Sequence, residues 1–324
     1  MSTIETSKKR SSPVQVALPS RSRGQKLRQA LVRDKYLFML GLPGLLIMAM
    51  FKYLPMWGVL IAFKQYSPIL GFSMSEWVGF DHFHRLFTNP DFPLLLRNTL
   101  AINLMGLVFF FPVPIILSLM LNEVRKEAYK RTIQSIVYLP HFLSWVIIAG
   151  LTFSFFATGE GLVNKILLET GLSRVEWLTT PNLFWVFLTG QSIWKEAGWG
   201  TIIFLAAISG VDSQQYEAAR MDGAGRLRQM WHITLPAIRN VIVILLILQL
   251  GGMMDVGFEQ VYLLKNSLVS SVAEVFDTYV YRVGLLQGEF SYTTAVGLFK
   301  SIIGLILVLG ANKLAKRYGG NGFF

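Results

Sequence analysis

The stretch EAARMDGAGRLRQMWHITLPAI, residues 217–238, is the most polar and arginine-dense part of the second half of a mostly apolar chain. Its first residues, from Glu217 to Met221, are good helix formers. Gly223 and Gly225 follow, and glycine lets a chain leave a helix in a left-handed turn. Pro236 comes later, at a position typical of a helix start. The pattern predicts a short helix, a turn and the start of a further helix.

The composition around this stretch is that of an integral membrane protein. Of the 324 residues, 53% are hydrophobic and 15% are charged, and the mean hydropathy is +0.48. Such a chain has too few polar residues to cover a soluble globule. In a membrane protein, a net charge of +11 is better explained by basic residues in the loops on the cytoplasmic side than by nucleic-acid binding. The absence of cysteine excludes disulfides and thiolate sites, and four scattered histidines indicate no metal site.

Six apolar runs are long enough to cross about 30 Å of hydrocarbon as helices. The sequence therefore predicts an all-α, polytopic membrane protein with six transmembrane helices. The predicted spans are Tyr36–Phe63, Thr99–Leu121, Ile133–Phe156, Leu183–Ile208, Val241–Val256 and Thr293–Leu309.

Three zones follow from these spans. Residues 1–35 are predicted to be a basic cytoplasmic tail, disordered or partly helical. Residues 36–317 form the six-helix domain, and residues 318–324 form a C-terminal tail. With the N-terminus inside, the inner segments hold 20 Lys and Arg and the outer loops hold 7. The positive-inside rule then predicts that both termini, and the stretch from Glu217, face the cytoplasm.

Two interpretations of the cytoplasmic stretch are open on spacing alone. It is either a membrane-surface helix whose arginines pair with anionic lipid, or a docking helix for another protein. Ala218, Ala219 and Ala224 would keep one face thin enough for close approach, and Glu217 offers a carboxylate to an arginine of a partner.

The order of residues in this stretch also resembles a known family signature, which bears on the choice between the two interpretations. Glu217-Ala218-Ala219, then Asp222-Gly223-Ala224, then Ile233, Leu235 and Pro236 resemble the EAA signature of permease subunits of binding-protein-dependent ABC importers. The resemblance implies a type I ABC importer permease-like (MetI-like) bundle with a coupling helix at about 211–226. The residues that it implies for docking to an ATPase are Glu217, Ala218, Ala219, Arg220, Asp222, Gly223 and Ala224. Leu235 and Pro236 would fix the return into the membrane.

Other segments resemble the oligosaccharide and complex-sugar branch of these permeases. They are WVGFDHFHRLF from Trp77, YLPHFLSWVIIAG from Tyr138, IWKEAGWG from Ile193 and GFEQVYLL from Gly257. Within that branch they are similar to the larger permease of alginate importers. The implied substrate is therefore an oligosaccharide, with alginate or another acidic or complex sugar as candidates.

The chain has no G-x-x-x-x-G-K-[ST] loop to hold nucleotide phosphates, so it is not expected to be an ATPase. ATP and Mg would be bound by partner subunits, and this chain itself would bind no cofactor. The resemblance implies as partners a second homologous permease, two ATPase subunits and a soluble solute-binding protein, in a bacterial inner membrane.

Substrate contacts are less specific in the sequence. Gln249, Met253, Asp255 and Glu259 cluster near the predicted outer end of the fifth span and are candidates for the substrate pathway. For any one of them, a normal polar helix end is the favoured explanation.

Lys195 and Glu196 interrupt the fourth predicted span. A helix break that exposes the pair to water is favoured over direct substrate contact. His141 has no carboxylate or second histidine at ligand spacing, so a metal site is not expected there.

Alternative functions remain open at this point. A secondary solute transporter would need ion-coupling acids at mid-membrane and inverted repeats, and neither is clear. A permease for a non-sugar solute would share every feature of the cytoplasmic stretch. A membrane enzyme would need His, Asp or Ser clustered on one side, and no such cluster is evident.

Overall fold

The computed structural model describes residues 33–317. The predicted tail at 1–35 lies almost wholly outside these residues, and the predicted tail at 318–324 lies outside them altogether. The chain divides into two units, Met1–Gly58 and Val59–Phe324.

The described part of the first unit is helical. Helix α1, Lys35–Met48, continues into a π-helical stretch, Ala49–Tyr53. A 3-10 stretch, Leu54–Phe63, follows across the boundary between the units. The whole run of 29 residues is long and apolar enough to cross a membrane. The first predicted span is thus helical along its length.

The described part of the second unit, residues 59–317, is mostly helical and contains one antiparallel pair of two-residue strands, β1 Lys64–Gln65 and β2 Glu76–Trp77. Its first helices are α2 Gly71–Met74, α3 Asp81–Thr88, α4 Phe92–Met105, α5 Pro112–Asn122, α6 Glu127–Tyr138, α7 Trp145–Phe156, α8 Leu162–Glu169 and α9 Pro181–Ser209. They are followed by α10 Ser213–Met221, α11 Arg226–Gln229, α12 Leu235–Ala237, α13 Arg239–Gly251, α14 Phe258–Leu264, α15 Ser270–Ala273, α16 Phe276–Val280 and α17 Phe290–Arg317. Short π-helical or 3-10 stretches join several of them, at Gly106–Phe110, Leu139–Phe142, Met230–Thr234, Ser267–Val269 and Tyr281–Leu286.

The six predicted spans correspond to helices of three kinds. The runs Lys35–Phe63, Phe92–Asn122 and Phe290–Arg317 are single helices long and apolar enough to cross a membrane. Two further spans are bent pairs, Glu127–Phe142 with Trp145–Phe156 and Arg226–Ala237 with Arg239–Gly251. The sixth, α9, is unbroken over 29 residues and carries the polar pair Lys195 and Glu196. The all-α class and the membrane bundle are confirmed, and six crossings are consistent with these helices.

The fifth predicted span, Val241–Val256, is too long at its outer end. Helix α13 ends at Gly251, and the chain turns through Gly252 before α14 begins. Paired glycines favour such an end because they leave a helix without a Cβ penalty. Gly257, with φ of 88°, completes the turn. The apolar residues after Gly251 therefore belong to a connection and not to the helix.

The bend between α6 and α7 has a local cause. The chain turns by 100° at Leu143 and Ser144, just after the 3-10 turn that contains Pro140. Ser144 then caps α7, because its side chain accepts a hydrogen bond of 3.3 Å from the backbone N–H of Ile147. This bend places His141 at the end of one helix and Trp145 at the start of the next.

Glycine allows close helix crossings in the bundle. A Cβ on Gly198 of α9 would overlap the carbonyl group of Val137 in α6. A Cβ on Gly304 of α17 would lie 2.6 Å from the carbonyl oxygen of Gly251 in α13. Small residues at crossings are how membrane helices gain packing without a hydrophobic driving force between them.

Candidate functional site

The Glu217 segment, residues 211–237, begins with a capped helix. The Asp212 side chain accepts a hydrogen bond of 2.9 Å from the backbone N–H of Gln214, so α10 starts as predicted. At its other end Gly223 has φ of 76°, and the N–H of Ala224 donates to the carbonyl of Ala219 at 2.8 Å. This left-handed glycine cap ends α10 at Met221, earlier than the expected end of the coupling helix at about 226.

Side-chain contacts hold the Glu217 segment together and attach it to a neighbouring part of the chain. The hydroxyls of Tyr216 and Thr234 are 2.9 Å apart. The buried amide of Gln229 donates to the carbonyl of Ala224 at 2.7 Å. Arg226 pairs with Glu123, after α5, at 3.7 Å. Of the three, only the Tyr216–Thr234 contact involves α10 itself, and it links α10 to the helical run that leads into α13.

The charged residues of α10 point away from these contacts. Glu217, Arg220 and Asp222 are exposed, and none forms a side-chain hydrogen bond or ion pair with residues 33–317. Exposed apolar side chains accompany them, with Met221 at 89% and Trp231 at 66% exposure. Charged groups without internal partners next to apolar side chains are the composition of a surface that binds another protein.

Leu235 and Pro236 lie directly before a bend, and their role in the return to the membrane stays a prediction. Helical structure resumes at Arg226, ten residues before Pro236, so Pro236 does not start the fifth helical run. Pro236 and the half-buried Leu235 instead precede the 60° bend at Ile238. Proline disfavours a straight continuation of the preceding helix. The bend therefore lies between the Glu217 segment and α13.

Two of the four predicted substrate-pathway residues line cavities, and the two cavities are different. Gln249 lines a cavity of about 280 Å³ beside Phe110 and Pro114. Asp255 lines another, of about 680 Å³, beside Lys300. Met253 and Glu259 line neither of these cavities. A role of these four residues in the substrate pathway stays a prediction.

Asp255 belongs to a triad of charged side chains whose other members, Asp277 and Lys300, are distant from it in the sequence. Lys300 of α17 pairs with Asp255 at 2.7 Å and also contacts Asp277. Asp277 in turn accepts a hydrogen bond of 3.0 Å from the backbone N–H of Val256. Lys300 was not among the predicted residues, and an isolated lysine in an apolar span was the signal that could have found it.

Lys195 and Glu196 lie on an unbroken helix, so the predicted helix break is wrong. Lys195 is 6% exposed and donates to the carbonyl of His141 at 2.8 Å. Glu196 lies 2.9 Å from Lys195 and 2.6 Å from His141 Nδ1. The His141 carbonyl, at the α6–α7 bend, thus accepts a hydrogen bond from Lys195. The Trp199 ring stacks on the His141 ring with the two centroids 4.4 Å apart.

His141 therefore does contact a carboxylate, that of Glu196. The two residues are far apart in the sequence, and the fold brings them together. No group of three potential metal ligands occurs among residues 33–317. The cluster is an ion network that joins α6 to α9.

A buried polar chain lies next to it. Gln260 donates to the carbonyl of Leu188 and to the side chain of Gln191, both at 2.9 Å. Gln191 donates to Thr152 at 2.8 Å and lines a mostly apolar cavity of about 590 Å³ that also contains Trp194. These contacts join α14, α9 and α7.

Comparison with known proteins places this arrangement among transport proteins. The family model described as "Binding-protein-dependent transport system inner membrane component" matches residues 110–320. Protein LplB of Bacillus subtilis (strain 168) is 56% identical over 98% of each chain. The polygalacturonan/rhamnogalacturonan transport system permease protein YteP of the same organism is 51% identical over 99% of this chain and 100% of its own.

Two solved structures share the fold. The crystal structure of a bacterial alginate ABC transporter in complex with an alginate pentasaccharide-bound periplasmic protein aligns with a TM-score of 0.83 at 40% identity. The alignment covers 92% of this chain and 99% of that one. A bacterial ABC transporter involved in the import of the acidic polysaccharide alginate aligns with a TM-score of 0.82 at 41% identity, over 91% and 99% of the two chains.

Proposed function

Because the chain belongs to the family of binding-protein-dependent transport system inner membrane components, we propose that it is a permease subunit of an ATP-driven importer of acidic oligosaccharides. The permease role is that of the family, and the chain is not itself an enzyme. Two similar proteins support the acidic class, since one is named for polygalacturonan and rhamnogalacturonan transport and another for alginate import. Both are transporters of uronic acid polymers.

The observation that carries the coupling role is the exposed Glu217 segment. Glu217, Arg220 and Asp222 are exposed and have no ionic partner among the described residues, while the side chains of Tyr216 and Gln229 hold the segment together. A short helix of this kind can receive mechanical work from a protein that binds ATP and pass it to the spans. Glu217, Ala218, Ala219, Arg220, Asp222, Gly223 and Ala224 form the proposed docking surface.

The proposed assembly contains a second homologous permease, two ATPase subunits that hold ATP and Mg, and a soluble solute-binding protein. One chain of this kind supplies one docking helix, so two permease chains would present one helix to each ATPase. The binding protein of the alginate transporter supports the last partner, since that complex contains a saccharide-bound periplasmic protein.

The proposed orientation places both termini and the Glu217 segment in the cytoplasm of a bacterium, with the chain in the inner membrane. The distribution of 20 Lys and Arg on one side against 7 on the other supports it. In this orientation the connection between α13 and α17, residues 252–289, faces the outside.

Co-purification tests the proposal. The tagged chain, expressed with its genomic neighbours, should bring down an ATPase and a second permease. ATP hydrolysis by the purified complex should rise when binding protein loaded with a uronic acid oligosaccharide is added. Absence of an ATPase from the complex, or hydrolysis that no saccharide-loaded binding protein stimulates, would contradict the proposal.

A further inference from the structure

A cavity of about 530 Å³ lies between α14 and the π-helical stretch Tyr281–Leu286. We call it the Tyr262 pocket. Its lining contains no carboxylate and is made of Tyr262, Leu263, Lys265, Asn266, Ser267, Ser270, Thr278, Tyr281, Arg282 and Leu286. Short π-helical stretches occur frequently at functional sites, and this one contributes both Tyr281 and Arg282.

The pocket wall carries an excess of positive charge. Lys265 and Arg282 both line it, and both pair with one carboxylate, that of Glu274. Glu274 is 8% exposed and lies behind the lining. Two cations against one carboxylate leave one positive charge without an internal counter-ion, and a partly buried charge of this kind is stabilised by a bound anion.

The geometry of Arg282 leaves its donors available. Its guanidinium approaches Glu274 through Nη2 at 3.5 Å, which is a single long contact rather than a bidentate one. Its side chain is 42% exposed. A guanidinium has five N–H donors in a planar fork that matches a carboxylate. The guanidinium also lies 5.3 Å from the centroid of the Tyr279 ring, and its other N–H donors have no hydrogen-bond partner among residues 33–317, so they are available to a ligand.

Aromatic rings form the other half of the pocket entrance. Tyr262 stacks on Phe258 with ring centroids 4.9 Å apart, and Tyr281 lies 5.1 Å from Tyr262. Tyr262 is 45% exposed. A tyrosine fixed in place by its neighbours offers an apolar ring face and a hydroxyl. A sugar ring likewise has an apolar face and hydroxyl groups, so the two can pack against each other and form hydrogen bonds.

We propose that the Tyr262 pocket binds one uronic acid unit of the transported saccharide, with its carboxylate on Arg282 and Lys265 and its ring against Tyr262. The proposal rests on the importer function and assigns its preference for acidic sugars to this connection. A neutral sugar of the same size would gain the ring contact without the ionic one. The pocket would therefore select for charge before the saccharide enters the spans.

The test uses the complete transporter in proteoliposomes and a matched pair of probes, galacturonic acid trisaccharide and its methyl ester. The ester keeps the ring skeleton and removes the charge. Arg282→Gln should lower uptake of the acid about tenfold, the size expected for a charge-assisted hydrogen bond, and leave uptake of the ester unchanged. Arg85→Gln is the matched control, because Arg85 also pairs with a carboxylate, Glu289, but does not line the pocket.

Tyr262→Leu separates the ring contact from the charge. It should lower uptake of the acid and of the ester by the same factor, about fivefold, because both probes present the same ring face. A loss confined to the acid would overturn the assignment of the ring contact to Tyr262.

Two outcomes would overturn the carboxylate assignment. Unchanged uptake of the acid in the Arg282 variant is the first. The second is an equal loss for acid and ester together with weaker binding of saccharide-free binding protein, which would make Arg282 a contact for that protein. Equilibrium dialysis of the labelled trisaccharide with the purified complex keeps the pocket testable even if ATP-driven uptake, and with it the proposed function, fails.

Discussion

The Glu217 segment and the wall of the Tyr262 pocket both place charged side chains beside apolar helices, but they satisfy those charges differently. In the segment, Glu217 and Arg220 are exposed and have no ionic partner among the described residues. In the pocket wall, Lys265 and Arg282 share the buried Glu274. One region leaves its charges to a partner, and the other ties two cations to a single buried carboxylate.

The difference indicates how each region responds to substitution. Exposed charges contribute little to folding, since water solvates them in the folded and unfolded states alike. A buried carboxylate between two cations cannot be removed without leaving both cations unpaired. Changes in the Glu217 segment should therefore affect transport without affecting stability, and changes at Glu274 should affect stability first.

The largest effect is expected for Glu274→Gln. Loss of the shared carboxylate leaves two cations close together, and we expect a loss of about 3 kcal/mol in the free energy of unfolding. Denaturation of the detergent-solubilised complex measures it. Glu289→Gln is the control, because Glu289 pairs with Arg85 at a more exposed position and should lose less than about 1 kcal/mol. Equal losses of unfolding free energy in the Glu274 and Glu289 variants would contradict the proposed difference between the two regions.

Glu217→Lys should produce the opposite pattern. The reversed charge would face the ATPase surface, and we expect uptake and ATPase co-purification to fall about tenfold or more. The unfolding midpoint should not change. Glu169→Lys, an exposed reversal at the end of α8, should leave uptake intact. Wild-type uptake and co-purification in the Glu217 variant would count against docking through this helix.

Gly223→Ala tests whether the orientation of α10 matters as well as its charge. Gly223 has φ of 76°, a conformation that costs a residue with a Cβ about 1–2 kcal/mol. We expect a loss of stability of that size and lower coupling of ATP hydrolysis to uptake. Gly225→Ala is the control, because Gly225 has φ of −68° and open space around it. Similar behaviour of the two variants would show that the turn geometry is unimportant.

The smallest effect is expected for Tyr216→Phe. This change removes the hydroxyl contact with Thr234 and should weaken the attachment of α10 by about 1 kcal/mol. Amide hydrogen exchange in Ser213–Met221 should then be about fivefold faster. Tyr129→Phe removes a hydroxyl from an exposed position on α6 and should leave that exchange unchanged. Equal rates of amide exchange in the wild type and the Tyr216 variant would show that α10 is attached through other contacts.

The parts of the fold that depend on local sequence were predictable. Helix α10 was expected because helix formers precede Gly223, and its cap has the predicted glycine. Apolar runs located the spans for the same reason. The fifth span was extended too far because Met253, Met254 and Val256 are apolar, whereas the Gly251–Gly252 pair decides where the helix ends.

The ionic contacts were not predictable because their members are far apart in the chain. Glu196 reaches His141 only because α6 bends and crosses α9 at Gly198. Lys300 reaches Asp255 through the pairing of α17 with α13. A single sequence shows which residues are charged but not which helices bring them together.

The crossing of α13 and α17 at Gly251 and Gly304 has a mechanical consequence. Lys300 of α17 also bridges to Asp255, just after α13, so the close backbone contact and the ion pair leave the two helices little room to slide past each other. If the Glu217 segment receives a displacement, as proposed, we expect both helices to move together and to carry it across the membrane.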